Sequence, residues 1–489
     1  MSFALLKGRT PQLPLVLTLA DQSQLSIQRW LRVLPNRRYV GLAKWQGQAV
    51  VIKIFTGRKA AAAYQAEIAG FSALQAQAIN CPEVLQHHQA GPELAWVISA
   101  YLDQTQSLAE AWQQVGSQPY LTAAQECVLG RALVNIAQMH LKGLWQADLH
   151  LDNFLTNGRQ LWVIDAGSIQ QQELGEPITR EAALANLAVF FAQLPNSLAP
   201  YLEQLLVHYI LVNSSHALPI ERLEAEIAKI KRWRLKDYLH KTARDCSLFS
   251  VQRSLFKLQA VWRQALPELQ PVLANPDQLI AQGHLYKTGG AATVAKVEYS
   301  AGGRVTPLVI KRYNIKHLAH WLKRFWRPSR AWHSWQAANR LEFLGIPTPK
   351  ALAVIEQRWL GLRGPAWFIT EYCAGQDIIA HFAPYVQPVA GAEKTPPEAM
   401  LQALDQLFAL LIRERISHGD LKGHNIFWQH NQWCLIDLDA MQQHQRLASF
   451  QRAYAKDRAR FLRNWPAEST LYQLLDQRLP QAETLSEEH

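Results

Sequence analysis

One spacing occurs twice in this chain and constrains its fold more than any other feature. Asp148, Asn153 and Asp165 follow one another at intervals of five and twelve residues, and Asp420, Asn425 and Asp437 repeat those intervals. The first set lies in Trp145-Gln-Ala-Asp-Leu-His-Leu-Asp-Asn-Phe-Leu155 and Leu161-Trp-Val-Ile-Asp-Ala-Gly167. The second lies in Ile416-Ser-His-Gly-Asp-Leu-Lys-Gly-His-Asn-Ile-Phe427 and Cys434-Leu-Ile-Asp-Leu-Asp439. Upstream of each is a β-branched run ending in lysine, Val50-Val-Ile-Lys53 and Leu308-Val-Ile-Lys311. A lone Asp-x4-Asn is common noise. The doubled order of lysine strand, loop and second aspartate is not. Helix caps and tight turns would explain any one of these residues, but not the ordered set.

A chain of 489 residues is too long for one hydrophobic core and fits two or three domains. Each lysine strand is followed by a helical stretch, then a strand and a connecting segment (Trp96 to Leu102; Phe368 to Ala374). That order matches the protein-kinase-like fold, with lysine on the third strand, a hinge, a catalytic loop and a metal aspartate. The expected architecture is α+β, as two tandem protein-kinase-like bilobal domains, each a small antiparallel β lobe plus a helical lobe. The expected domains are 1–266 and 267–489. The first ends in a helical, charge-rich stretch from Glu221 to Lys257, and the boundary falls in the proline-punctuated segment Pro267 to Pro276.

The residue types suit phosphoryl transfer, which depends on positioning and charge neutralisation more than on covalent chemistry. Asp148 and Asp420 would orient an acceptor hydroxyl and take its proton. Asn153 with Asp165, and Asn425 with Asp437, offer the hard oxygens that Mg²⁺ prefers. Lys53 and Lys311 would grip the α/β-phosphates of ATP.

The second copy is the stronger candidate for activity. Lys422, two residues beyond Asp420, is placed to touch a transferred phosphoryl group. Its phosphate loop is expected in Lys287-Thr-Gly-Gly-Ala-Ala-Thr-Val-Ala295, where Gly289 and Gly290 let backbone N–H groups approach phosphate oxygens. Glu342, near the end of the helix expected from Ser329 to Leu344, is either the ion-pair partner of Lys311 or an ordinary surface charge. In the first copy Glu67 is the plainer partner, for Lys53. His150 stands where Lys422 does, as a phosphate contact or as a satisfied loop histidine. No glycine-rich loop is evident there; Gly41 and Gly47 flank a short expected hairpin.

Neither loop has the arginine that reads a phosphorylated activation loop, since positions 147 and 419 are alanine and glycine. Only 52 residues follow Asp437, too few for the usual peptide-substrate platform. A small or carbohydrate acceptor is therefore expected. The formal net charge of +11 implies a polyanionic partner. Residues 299–341 contain nine Lys or Arg and no Asp or Glu, with tryptophans interleaved from Ile315 to Trp335. That stretch suits an anionic membrane surface, or else a helix that packs its tryptophans inward behind a solvated basic face. No nucleic-acid-binding motif accompanies it. The five cysteines lack a C-x-x-C spacing, which indicates neither a disulfide framework nor a zinc site and agrees with a reducing cytosol. Residues Pro11 to Ala20 read as an early strand, not a signal peptide, and no run approaches the roughly 18 apolar residues that span a bilayer.

With these residues in view the chain resembles the bacterial lipopolysaccharide kinase family, which includes core heptose and Kdo kinases. Lys287-Thr-Gly-Gly-Ala-Ala-Thr-Val, Leu344-Gly-Ile-Pro-Thr-Pro349, His418-Gly-Asp-Leu-Lys-Gly-His-Asn425 and Asp457-Arg-Ala-Arg-Phe-Leu-Arg-Asn-Trp465 carry the resemblance. Ala147-Asp-Leu-His-Leu-Asp-Asn153 carries it more distantly. The resemblance implies ATP- and Mg²⁺-dependent phosphorylation of a sugar hydroxyl in lipopolysaccharide core, or in another anionic glycan. It places the enzyme in the cytoplasm, peripheral to the inner membrane. It assigns Asp420 as base, Asn425 and Asp437 as metal ligands, and Lys311 as phosphate grip. The rival expectations are a membrane-associated pseudokinase scaffold or regulator with one or both sites inert, and a kinase for another small-molecule or protein acceptor. Between enzyme and scaffold lies an active copy regulated by an inert one.

Overall fold

The computed structural model describes residues 8, 11–116, 121–215, 219–290, 292–301, 304–314, 328–360, 362–386 and 395–482. The fold mixes helices and antiparallel sheets, as the α+β expectation requires. The chain divides into two compact units, Met1–Lys231 and Arg232–His489.

The first unit opens with a six-stranded sheet. In spatial order its strands are Leu15–Thr18, Gln24–Leu34, Arg38–Trp45, Gln48–Thr56, Leu94–Ala100 and Val84–Gln89. The strand expected in Pro11 to Ala20 is thus Leu15–Thr18. Side chains alternate across a strand with period two. Ile52 and Ile54 therefore enter one apolar layer with Leu25, Ile27 and Trp96. Lys53 and Phe55 face the other way, where Phe55 packs with Tyr64, Phe71 and Leu74 of the helix Ala60–Ala76. A helical part follows, built on Ala123–Leu141, Arg180–Phe191 and Leu202–Ile210. Ser107 with Glu110, and Thr122 with Gln125, form reciprocal capping boxes that start two of its helices.

The second unit repeats the plan with a seven-stranded sheet. Its order is Phe249–Arg253, Lys257–Trp262, Ala351–Trp359, Leu362–Glu371, Arg304–Tyr313, Ala292–Ala301 and His284–Lys287. Leu308 and Ile310 pack with Trp367 and Ile369 on one face, while Tyr313, and by parity Lys311, face the helix Arg330–Leu344. The helices Glu398–Arg413, Leu447–Leu462 and Thr470–Arg478 build the rest of the core around Phe408, Phe450, Phe461 and Trp465.

Two expectations about the join differ from the structure. The helix after Glu221 ends at Lys241, and the next residues form the strands Phe249–Arg253 and Lys257–Trp262. Those strands pair into the second sheet through Val261 opposite Ala353, so residues 232–266 belong with the second unit. Pro267 and Pro276 sit in the first turns of Leu266–Ala274 and Pro276–Gln282 and do not mark a linker. Proline suits that position, because the N–H it lacks would have no intrahelical partner there. Leu269, Val272 and Ile280 of these helices cover the back of the sheet. Among the described residues no helix is long and apolar enough to cross a membrane.

Candidate active site

Each candidate catalytic loop closes on itself by the same wiring. Asn153 Nδ2 donates to the Asp148 carbonyl at 2.7 Å, and Asn425 Nδ2 donates to the Asp420 carbonyl at 2.9 Å. The backbone carbonyls of the two asparagines accept from the backbone N–H of Ile164 (2.9 Å) and Ile436 (3.0 Å), the residues just before the second aspartates. Short hairpins, Phe154–Thr156 with Leu161–Val163 and Ile426–Gln429 with Gln432–Leu435, carry the chain between them. Asp165 (φ 61°) and Asp437 (φ 59°) are both left-handed, a region that aspartate visits more readily than most residues. Such strained residues gather at functional sites. The doubled spacing is therefore a doubled hydrogen-bonded loop.

In the first unit Lys53 Nζ sits 2.6 Å from Glu67 Oε1 and 3.0 Å from Asp165 Oδ1. Glu67 is buried on the helix Ala60–Ala76, and its other oxygen accepts from the Gly167 N–H at 3.1 Å. The close approach depends on two glycines. A Cβ on Gly70 would meet the Ala166 carbonyl oxygen at 1.9 Å, and one on Gly167 would meet Glu67 Oε2 at 2.8 Å. Arg38 Nη1 also reaches Asp165 Oδ1, at 3.0 Å. Burial pushes the Asp165 carboxyl up, but Lys53 and Arg38 outweigh it and hold the group below the usual carboxylate range. His150 Nε2 lies 2.9 Å from Asp148 Oδ1, and this hydrogen bond holds Asp148 low.

In the second unit Lys311 Nζ lies 2.5 Å from Asp437 Oδ1 and 2.9 Å from Asp439 Oδ2. Asp439 is the carboxylate that the sequence reading missed. It also accepts from Tyr313 Oη (2.5 Å) and Ser334 Oγ (2.8 Å), and pairs with Arg330 Nη2 at 3.1 Å. Burial raises its pKa, yet Lys311 and Tyr313 keep it below the ordinary value. Tyr313 is pushed well above the usual phenol by burial and by Asp439. Glu342 does not meet Lys311. Burial raises its carboxyl pKa, while Lys350 draws it down. A signal existed in the sequence: two residues past the second aspartate, the first unit has Gly167 and the second has Asp439. Where glycine makes room for a helix-borne carboxylate, aspartate supplies the carboxylate itself.

Asp420 is set from below by Asp457, whose buried Oδ2 accepts from the backbone N–H of His418 (2.7 Å) and Gly419 (3.0 Å). Its own oxygens face Lys422 Nζ at 3.0 Å and Arg460 Nη1 at 3.4 Å. Arg460 is anchored on the Gly419 carbonyl. His418 is buried and pushed down by that burial; Nε2 donates to the Ile436 carbonyl (2.9 Å) and Nδ1 faces the Asp420 N–H (3.3 Å).

Gly289 (φ 75°) and Gly290 (φ 62°) form the turn between His284–Lys287 and Ala292–Ala301, two strands before Lys311. Their left-handed backbone is what requires glycine, since a Cβ on either would meet nothing within 4 Å. Gly47 turns the hairpin between Arg38–Trp45 and Gln48–Thr56, and Gly41 lies within its first strand. Most of the basic tryptophan stretch, residues 315–327, lies outside the described residues. Of the remainder, Trp335 is fully buried and donates to the Thr242 carbonyl.

The second unit fits a divalent cation better than the first. Asp437 is 43% exposed and carries one ion pair among the described residues, with Lys311. Asp165 is 19% exposed and already holds two cations on one oxygen.

Residues 296–476 match the model of the "Lipopolysaccharide kinase (Kdo/WaaP) family". A solved structure described as "WaaP in complex with acyl carrier protein" aligns with 43% of this chain and 88% of its own at a TM-score of 0.30, with 16% identity. No curated protein matches the chain.

Proposed function

We propose, on the premise that the second unit belongs to the lipopolysaccharide kinase (Kdo/WaaP) family of ATP-dependent kinases, that it phosphorylates a sugar hydroxyl of lipopolysaccharide core. The observation that carries this reading is Lys311 held between Asp437 and Asp439, in the unit where Asp457 fixes the backbone just before Asp420. Lys311 grips the α/β-phosphates of ATP. Gly289 and Gly290 offer their backbone N–H groups from the turn above. The acceptor hydroxyl passes its proton to Asp420 as its oxygen bonds the γ-phosphorus; the bond from that phosphorus to the β,γ-bridging oxygen breaks, and ADP leaves. Lys422 and Arg460 bring positive charge to the oxygens of the transferred group. A magnesium ion held by Asn425 and Asp437 would supply neutralisation of the phosphate charge.

The first unit is read as a second, tandem copy of the protein-kinase-like fold, with Lys53, Glu67, Asp148, Asn153 and Asp165 in the corresponding places. The net positive charge of the chain fits an anionic glycan and an anionic membrane face in the cytoplasm.

The test is transfer from labelled ATP to purified, dephosphorylated lipopolysaccharide core. Wild type should label it and Asp420→Ala should lose at least about a hundredfold in rate, the usual share of a general base. No labelling by a folded, ATP-binding wild type would reject the core sugar as acceptor. Loss with Asp148→Ala alone would move the chemistry to the first unit.

A further inference from the structure

The first unit has a cation where its relative in the same chain has room for a metal. Counting back from the lysine strand, the turn Pro35-Asn36-Arg37 occupies the place that Gly289 and Gly290 occupy in the second unit. It contains no glycine. Arg38 opens the next strand and points its guanidinium at the second aspartate, 3.0 Å from the Asp165 oxygen that Lys53 also holds at 3.0 Å. Arg38 is 21% exposed and Asp165 19%, so the pair is sheltered from solvent. Arg32, on the same hairpin, adds its charge to both Asp165 and Asp148. The other expected ligand, Asn153, is buried.

A divalent cation binding Asp165 would sit close to two fixed positive charges. Oxygens of a polyphosphate would instead find a guanidinium fork and an ammonium already placed, and guanidinium matches phosphate geometry in two parallel hydrogen bonds. At the position of Lys422, which pairs with Asp420 at 3.0 Å, the first unit has His150, whose Nε2 lies 2.9 Å from Asp148.

We infer that the first unit is a metal-independent nucleotide site, binding a nucleoside polyphosphate through Arg38 and Lys53 without transferring its phosphate. The inference rests on the tandem reading of the chain.

The experiment uses the full chain with Lys311→Ala and Asp437→Ala together, which removes nucleotide binding by the second unit. A fluorescent ATP analogue is titrated with Mg²⁺ and again with EDTA. Affinity should agree within about twofold between the two conditions, since no coordinate bond is involved. Arg38→Gln should weaken binding in EDTA by at least about tenfold, the scale of one charge-assisted contact to phosphate. Arg38→Lys should fall between, and unchanged melting temperatures would show that both variants fold. Binding that requires Mg²⁺, binding indifferent to Arg38→Gln, or no binding in either condition would each overturn the inference. Failure of the second unit to phosphorylate core sugar would leave these titrations untouched, so the two readings fail separately.

Discussion

Replacing Asp439 by asparagine removes one negative charge and keeps the shape. The aspartate side chain is 10% exposed and Lys311 is 14% exposed, so their pair is sheltered, whereas Arg330 is 55% exposed. Breaking a buried ion pair from one side costs about 3–5 kcal/mol. The exposed Arg330 pair adds at most about 1 kcal/mol. Tyr313 and Ser334 keep an oxygen to donate to, but each bond drops from charge-assisted to neutral, about 1 kcal/mol apiece. Part of this returns as Lys311 leans on Asp437, so we expect about 3–4 kcal/mol off the second unit's stability, read from urea unfolding. The kinetic effect should be larger on ATP than on acceptor. Misplacing Lys311 by the equivalent of about 2.7 kcal/mol lowers kcat/KM for ATP about a hundredfold. Glu342→Gln is the control, expected to change both readouts by less than about twofold. A stronger test moves the carboxylate: Ser334→Asp with Asp439→Ser places it on the helix, as Glu67 is in the first unit, and should restore part of the lost kcat/KM. If Glu342→Gln proved as damaging as Asp439→Asn, the assignment of the lysine's partner would be wrong.

Two further outcomes follow from the loop. Asp457→Ala leaves the buried N–H groups of His418 and Gly419 without an acceptor, which should cost about 2–5 kcal/mol and abolish transfer, while Asp457→Asn should retain part of both because one oxygen remains. His418 has its pKa lowered by burial, so the unfolded chain binds the proton more readily. Its contribution to stability is full above the ordinary histidine value of 6.5 and is lost as pH falls from there through the lower folded value. Unfolding midpoints measured from pH 7.5 down to 5.5, a span of about two units around the free histidine value, should decline, and His418→Asn should flatten that decline. A rise toward acid would contradict the neutral histidine between Ile436 and Asp420.

What could be read from the sequence was local. The asparagine five residues after the aspartate bonds that aspartate's own carbonyl, so the loop is specified within a few residues and survives as a pattern. The lysine strands could be read because β-branched runs with period-two burial mark strands. Glu67 could be read because its helix follows Lys53 closely and offers no other acid. Asp439 was hidden because its partner is 126 residues away on Tyr313 and its neighbour on Lys311, a match made only when the strand and the loop meet. Arg38 was hidden for the same reason, 127 residues from Asp165. Prolines misled at 267–276 because helix starts and linkers favour the same residue, and only the pairing of Val261 with Ala353 separates the two.

The two units therefore meet one electrostatic demand in two ways. A strand lysine that faces the second aspartate of the loop needs a further carboxylate, or its charge falls on that aspartate alone. In the first unit the carboxylate rides on a helix, and two glycines exist to let it in; moving the helix Ala60–Ala76 would break the pair. In the second unit the carboxylate sits two residues from Asp437 on the same short turn, so both carboxylates that face Lys311 are positioned by one element. The helix Arg330–Leu344 still contributes, but through Ser334 and Arg330, which hold Asp439 and not the lysine. A shift of that helix would loosen the network without removing the charge opposite Lys311. The site with its lysine partner fixed by the turn is also the one whose second aspartate, Asp437, remains open to solvent, and both features support the phosphate transfer proposed for the second unit.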